Sequence, residues 1–403
     1  MKTYILKRIA LSLMIFFAGS SYAQVKIGAI YDITGDLNIF GLQQINGLNL
    51  AVEDINAKGG VLGEKIKVVT YDTQSALNKY TQFAKTAVLR DGLDAIFAGL
   101  TSSSREAMRP IFRRANMPYF YSTIYEGGAC DKQTFITGPT ASQQLKPLIQ
   151  WAIKKYGPKI YIMAPDYNFG TISASWINEY AKQFGGEVVG EDFLALTVTD
   201  YSPTIQKIQR SKPDFVVALP VGPSQVGFIE QFAAAGLKEN TPIVSSNYST
   251  GNEQVLLSPS AGKGIIASHV YFMSLNTPEN KAFLTRWFDK YGKTDAISPE
   301  AVTVWNAVHL WAKAVEKAGT TDHTAVIKAL ESGDLHFTGP NGLVTMEAGS
   351  HHTRQNVYIA EGNDHYGFNI IKTFPNAAPN YESQVCDLIA NPKLAKHFTP
   401  STK

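Results

Sequence analysis

The sequence predicts an α/β fold of two doubly wound parallel-sheet lobes. Short apolar runs of strand composition alternate with segments whose apolar residues recur at helical spacing, the βα pattern of a parallel sheet covered on both faces. That pattern runs once and then starts again, giving two units of similar size. Roughly the last hundred residues are too irregular for a third such unit, and are read as elements returned to the first two.

In the first unit, Val25–Tyr31 has strand composition, and Ile45, Leu48, Val52 and Ile55 recur at helical spacing between Phe40 and Ala57. Lys58-Gly59-Gly60 ends that helix, because glycine tolerates a left-handed cap. Strands follow at Lys65–Tyr71, Ala95–Ala98 and Pro118–Tyr121, with helices at Leu77–Arg90 and Ser104–Ala115. Thr137-Gly138-Pro139-Thr140 reads as a linker. In the second unit, strands Lys159–Ala164, Glu187–Leu194, Phe215–Leu219 and Pro242–Val244 alternate with four helices. These are Leu145–Tyr156, Gly170–Phe184, Pro203–Arg210 and Ser224–Ala235. Gly264–Tyr271 is strand-like, and helices are expected at Glu279–Tyr291, Pro299–Ala318 and Asp322–Glu331. Gly339-Pro340-Asn341-Gly342 is a strong turn. Crossings back between the units are expected near Ser268–Ser274 and Phe337–Gly342.

The amino end reads as a secretory signal. Lys2, Lys7 and Arg8 precede an apolar core, Ile9–Ala18, that is too short to span a bilayer as a retained anchor. Ser21-Tyr22-Ala23 places small residues where a signal peptidase reads, so cleavage is expected after Ala23. No cysteine is near enough for lipid attachment, and no later segment has the apolar length of a membrane helix. The expected location is the periplasm, without direct membrane insertion. The net charge of +3 resides in the leader, which leaves 34 basic and 34 acidic residues in the mature chain. A balanced chain with no basic block excludes nucleic acid and anionic membrane as partners. In an oxidising compartment the two cysteines, Cys130 and Cys386, read as one disulfide pinning the carboxyl tail to the first lobe. Two unpaired buried thiols are the alternative.

Ligands of open α/β sheets bind beyond the carboxyl ends of the strands, at the point where strand order reverses. Tyr121 and Thr123, at the end of Pro118–Tyr121, therefore stand where a small polar solute is held. Thr101-Ser102-Ser103-Ser104 opens a helix after Ala95–Ala98, where hydroxyls and free helix N–H groups cap the helix, hold a ligand, or do both. Asp166-Tyr167-Asn168-Phe169-Gly170 occupies the corresponding place in the second unit. Tyr271-Phe272, at the second crossing, is a candidate base for the cleft. Gly59-Gly60-Val61-Leu62-Gly63 follows a helix instead of a strand and lacks the context of a phosphate loop. His351-His352, near Glu347, would point to opposite faces of a strand and chelate poorly; a solvated loop is expected there. No nucleophile elbow surrounds the serines. Neither an enzyme, a metal site nor a cofactor is expected.

These segments resemble the type I periplasmic solute-binding proteins of ABC transporters, the leucine/isoleucine/valine-binding class. The likeness runs from Val25-Lys26-Ile27-Gly28 and Thr34-Gly35 through Ala51-Val52-Glu53-Asp54-Ile55-Asn56 and Gly59-Gly60-Val61-Leu62-Gly63. Tyr125-Glu126-Gly127, Asp166-Tyr167, Val221-Gly222 and Gly339-Pro340-Asn341-Gly342 are most similar to the short-chain amide and urea binders. The resemblance implies two lobes joined by three hinge crossings that close on a ligand. It assigns residues 24–138 and 269–338 to the first lobe, 139–268 and 339–375 to the second, and 376–403 to a tail on the first. It implies ligand contacts at Ser102, Tyr121, Thr123, Tyr167, Phe169 and Phe272. Ile124, Phe169 and Leu100 depart from the amide pattern toward less polar side chains. Amino-acid binders of this class add an acidic residue from the second lobe for the ammonium, and Ser245-Ser246-Asn247-Tyr248 has none. The expected function is capture of a small polar solute, an amide or urea-like compound, for an inner-membrane ABC permease. An amino-acid-binding protein and a ligand sensor feeding a regulator are the alternatives.

Overall fold

The computed structural model describes residues 24–400; the expected leader and its cleavage site lie outside them. From the amino end the chain runs β1 (Lys26–Tyr31), α1 (Asn38–Ala57), β2 (Lys67–Asp72), α2 (Leu77–Leu89), β3 (Ala95–Ala98), α3 (Ser102–Arg114) and β4 (Tyr119–Tyr121). It continues through β5 (Ala129–Asp131), β6 (Thr134–Ile136), α4 (Ala141–Tyr156), β7 (Lys159–Pro165), α5 (Asn168–Gln183), β8 (Glu187–Leu194) and α6 (Ser202–Ser211). Next come β9 (Phe215–Ala218), α7 (Pro223–Ala234), β10 (Ile243–Ser245), α8 (Pro259–Gly262), β11 (Ile266–His269), α9 (Pro278–Tyr291) and α10 (Pro299–Ala318). The last elements are α11 (His323–Leu330), β12 (His336–Gly339), β13 (Gly342–Met346), β14 (Thr353–Gly362), β15 (Phe368–Ala377), α12 (Asn380–Val385) and β16 (Ala395–His397).

The first sheet has the order β2-β1-β3-β4-β6, all parallel. Its central strands are buried on both faces, which is why β3 reads as a continuous apolar run. One face packs on α1, α10 and α11 through Leu48, Trp311 and Leu330; the other packs on α2 and α3 through Tyr80 and Phe112. α1 and α10 touch at Gly47, where an added Cβ would lie 2.1 Å from the Ala301 carbonyl oxygen. That close approach explains a glycine inside a helix.

The second sheet repeats the order as β8-β7-β9-β10-β11, again parallel. α4 and α5 cover one face; α6 and α7 cover the other. β14 then adds antiparallel to β11, with β15 beyond it. This hairpin was not legible in the sequence, because most of β15 is exposed at an edge and has no apolar alternation.

The chain passes between the sheets three times: from β6 to α4, between β11 and α10, and along β14. The third passage lies later than the turn at Gly339–Gly342. That turn closes the β12–β13 hairpin, whose Val344 and Met346 pack in the core of the first sheet. Early β14 is then bonded to the first crossing, with Gln355 Nε2 donating to the Thr137 carbonyl at 2.8 Å. Its later residues pair with β11.

Cys130 and Cys386 form the disulfide. It holds the tail, and β16 pairs with β5 beside it. Glu382 of α12 accepts from the Gly128 amide and from the Thr140 and Ser142 hydroxyls, at 3.1–3.2 Å. The tail thus sits on the first crossing. His351 and His352 are fully buried, which corrects the expected solvated loop. His351 stacks on Phe135 and bonds Glu331, while His352 bonds the Tyr125 hydroxyl.

Candidate functional site

Both sheets reverse strand order beside their first strand, at β1/β3 and at β7/β9. The carboxyl ends of β3, β4, β7, β9 and β10 converge on one cavity between the lobes, of about 30 Å3. From the first lobe come Phe40, Leu100, Thr101, Ser102, Thr123 and Ile124; from the second come Tyr167, Phe169, Val221, Asn247 and Thr250. Phe40 reaches across because Gly251 makes room; a Cβ there would lie 2.9 Å from its ring. Ser103 Oγ bonds Asn168 Oδ1 across the cleft at 3.2 Å, and Trp176 Nε1 bonds the Glu126 carbonyl at 2.9 Å.

The structure therefore brings together Ser102, Thr123, Tyr167 and Phe169. It places Tyr121 and Phe272 elsewhere. On β4, Tyr121 shares the α2/α3 face of the sheet with Tyr119, and its hydroxyl donates to the Leu100 carbonyl at 2.7 Å. Its ring lies 5.1 Å from the Arg105 guanidinium carbon. Phe272 packs 4.8 Å from Phe368 and lines a separate cavity of about 120 Å3 with Tyr271 and Met273.

The hydroxyl hydrogens around the cavity are largely committed to the protein. Ser102 Oγ donates to Glu126, and Thr123 Oγ1 donates to the Gly99 carbonyl at 3.3 Å while accepting from Gln44 Nε2 at 2.9 Å. Thr250 Oγ1 donates to the Asn247 carbonyl at 2.8 Å, and Asn247 Nδ2 donates to the Pro220 carbonyl at 2.6 Å. These side chains offer a solute acceptor lone pairs. Donors come from the first turn of α3, whose cap Thr101 serves only the Ser104 amide.

Ser102 is held by a buried ion pair. Arg105, fully buried, meets Glu126 at 2.6 Å and lies 4.6 Å from the Tyr125 ring centre. Such a pair costs desolvation and fixes geometry. His397 from the tail approaches the same carboxylate at 3.4 Å; burial lowers its pKa and keeps it neutral. Among the described residues Ser102 Oγ is bonded to the Glu126 carboxylate and the Arg105 guanidinium and to no imidazole. Among the described residues no group of three or more His, Cys, Asp or Glu side chains could hold a metal ion, and no helix is long and apolar enough to cross a membrane.

Residues 24–366 match the model of a periplasmic binding protein family. The chain belongs to that family. Among curated relatives, this periplasmic binding protein is 26% identical over 368 residues to Leu/Ile/Val-binding protein homolog 6 of Brucella melitensis, covering 88% of this chain and 93% of the relative. A solute-binding protein of an ABC transporter from R. palustris, solved with benzoate, superposes with a TM-score of 0.79 at 24% identity, covering 88% of this chain and 98% of that one. A branched-chain amino acid transporter substrate-binding protein from Streptococcus pneumoniae, solved with isoleucine, gives a TM-score of 0.76 at 22% identity, covering 88% and 99%. At these identities the two structures share the fold.

Sequence reasoning missed Phe40, Val221 and Thr250 in the wall. It also missed Gln44 and Glu300 behind it. Phe40 and Gln44 stand four residues apart on one face of α1, a signal that existed; Glu300 follows Ser298-Pro299 and looks like an ordinary first-turn acid.

Proposed function

We propose that this protein is the substrate-binding component of an ABC importer, and that its solute is small, with an apolar body and a carboxylate. The supporting observation is the cavity between the lobes. Its walls are mainly Phe40, Leu100, Ile124, Phe169 and Val221, and the free amides opening α3 are suited to an anion. The curated relative is named a Leu/Ile/Val-binding protein homolog, and the two structures named above were solved with benzoate and with isoleucine, which supports the same class. An amide or urea-like solute is the lesser reading, because it leaves the apolar walls unused. The enclosed space holds little more than a water or two, so capture requires the lobes to part about the three crossings and close again. An inner-membrane permease is the partner that receives the solute.

A thermal-shift panel of leucine, isoleucine, benzoate, acetamide and urea tests this. A solute that binds the folded protein raises its melting temperature by mass action. Leucine, isoleucine or benzoate is expected to do so; a shift with acetamide or urea alone would return the protein to the amide class.

A further inference from the structure

Beneath the cavity lies a group of buried acceptors that the proposed role does not yet use. Glu300, on the first turn of α10, is 1% exposed. Its Oε1 accepts from the amide of Ile124, a cavity wall residue, at 3.3 Å, while its Oε2 has no partner among the described residues. Gln44 on α1 has Nε2 bonded to Thr123, the wall residue before Ile124, and Oε1 unpartnered among the described residues. From the second lobe comes Glu253, fully buried, with Oε1 also unpartnered. Buried acceptors and buried carboxyls are ordinarily satisfied by donors or cations. Here three such groups from two lobes lie behind the cavity wall, bonded to Ile124, Thr123 and Gly251, and among the described residues no lysine or arginine hydrogen-bonds them.

We infer that this acceptor group, centred on Glu300, receives a protonated nitrogen carried by the solute, and that Glu300 gives up a proton when the solute arrives. The step is an exchange: the neutral carboxyl of Glu300 ionises against the incoming ammonium, and its proton leaves to solvent. The inference rests on the reading of this cavity as the solute site. The surroundings favour a neutral Glu300 before binding. Burial raises its pKa to about 8, and Glu253 adds to the rise. Burial likewise raises Glu253 to about 7. The charge of Glu300 would also be felt by Tyr31 on β1 and Tyr121 on β4, but burial raises both further above their usual range, so they stay neutral. Glu300 sits in the first lobe, so this acid differs from the second-lobe acid expected of amino-acid binders.

The test is calorimetric titration with leucine, its desamino analogue 4-methylpentanoate, and benzoate, in two buffers of different ionisation enthalpy. At about pH 6.5, leucine should release about one proton per solute bound, and the release should vanish well above the Glu300 pKa. The desamino analogue should bind at least about tenfold more weakly than leucine. Glu300→Gln should abolish the proton release and weaken leucine by a similar factor, leaving the analogue unchanged. The wild-type buffer comparison stands even if that variant folds poorly. Equal affinity for leucine and its analogue, or leucine binding without proton release, overturns the inference. Benzoate binding alone overturns it while leaving the importer role in place. Binding of none of the three overturns it together with the reading of the cavity.

Discussion

The two lobes meet the cavity with different materials. The first presents Ser102 and Thr123 backed by a buried polar framework: Glu126, Arg105, Gln44 and Glu300. The second presents Tyr167, Phe169 and Val221 against its own apolar cluster. The disulfide ties the tail to the first lobe, while α12 also bonds Ser142 and packs Tyr381 on Trp176 of the second. The difference lies in what backs each wall, polar groups in the first lobe and an apolar cluster in the second; apolar and polar side chains reach the cavity from both.

The largest expected effect tests the fastening. Replacing both cysteines, Cys130→Ser with Cys386→Ser, removes a cross-link spanning 256 residues of sequence. The cost is up to about 5 kcal/mol on the chain-entropy account. Urea unfolding with and without reductant measures it; an unchanged midpoint would show that the tail holds the first lobe without the bond. Next is Glu126→Ala, which leaves the buried Arg105 with the partly exposed Glu106 as its remaining carboxylate and should cost about 3 kcal/mol of stability. It should also weaken solute binding through Ser102. A loss of stability with affinity preserved would separate the ion pair from the cavity.

The smallest effects compare one hydroxyl from each wall. Thr123→Val leaves the Gln44 amide without its acceptor, so about 1–3 kcal/mol should be lost from folding as well as from binding. Tyr167→Phe removes a hydroxyl that makes no hydrogen bond to protein among the described residues, and folding should change by less than about 0.5 kcal/mol. Equal losses in the two variants would erase the contrast between the lobes.

Sequence periodicity carried the reading of most elements through α11, with the short β5, β6 and α8 missed, because parallel strands buried on both faces and their covering helices leave local signatures. The carboxyl-terminal hairpin of β14 and β15 depends on pairing with distant β11, and no local pattern announces it. The pairing of β5 with β16 is hidden for the same reason. In the cavity wall, Ser102, Thr123, Tyr167 and Phe169 were legible because each follows a strand. Tyr121 stands off that wall by parity: alternate residues of β4 face opposite sides, and its side chain goes under α3. Phe272 was drawn away by Phe368, on a strand the sequence had not revealed. His351 and His352 were read from neighbours in sequence, whereas Phe135, Glu331 and Tyr125 decide their burial.

Glu382 of the tail grips Gly128 on one side of the first crossing and Thr140 and Ser142 on the other. The carboxyl terminus is therefore attached to the axis about which the lobes turn. Removing residues 378–400 would free both sides of that axis at once, changing the resting angle between the lobes before any solute is added.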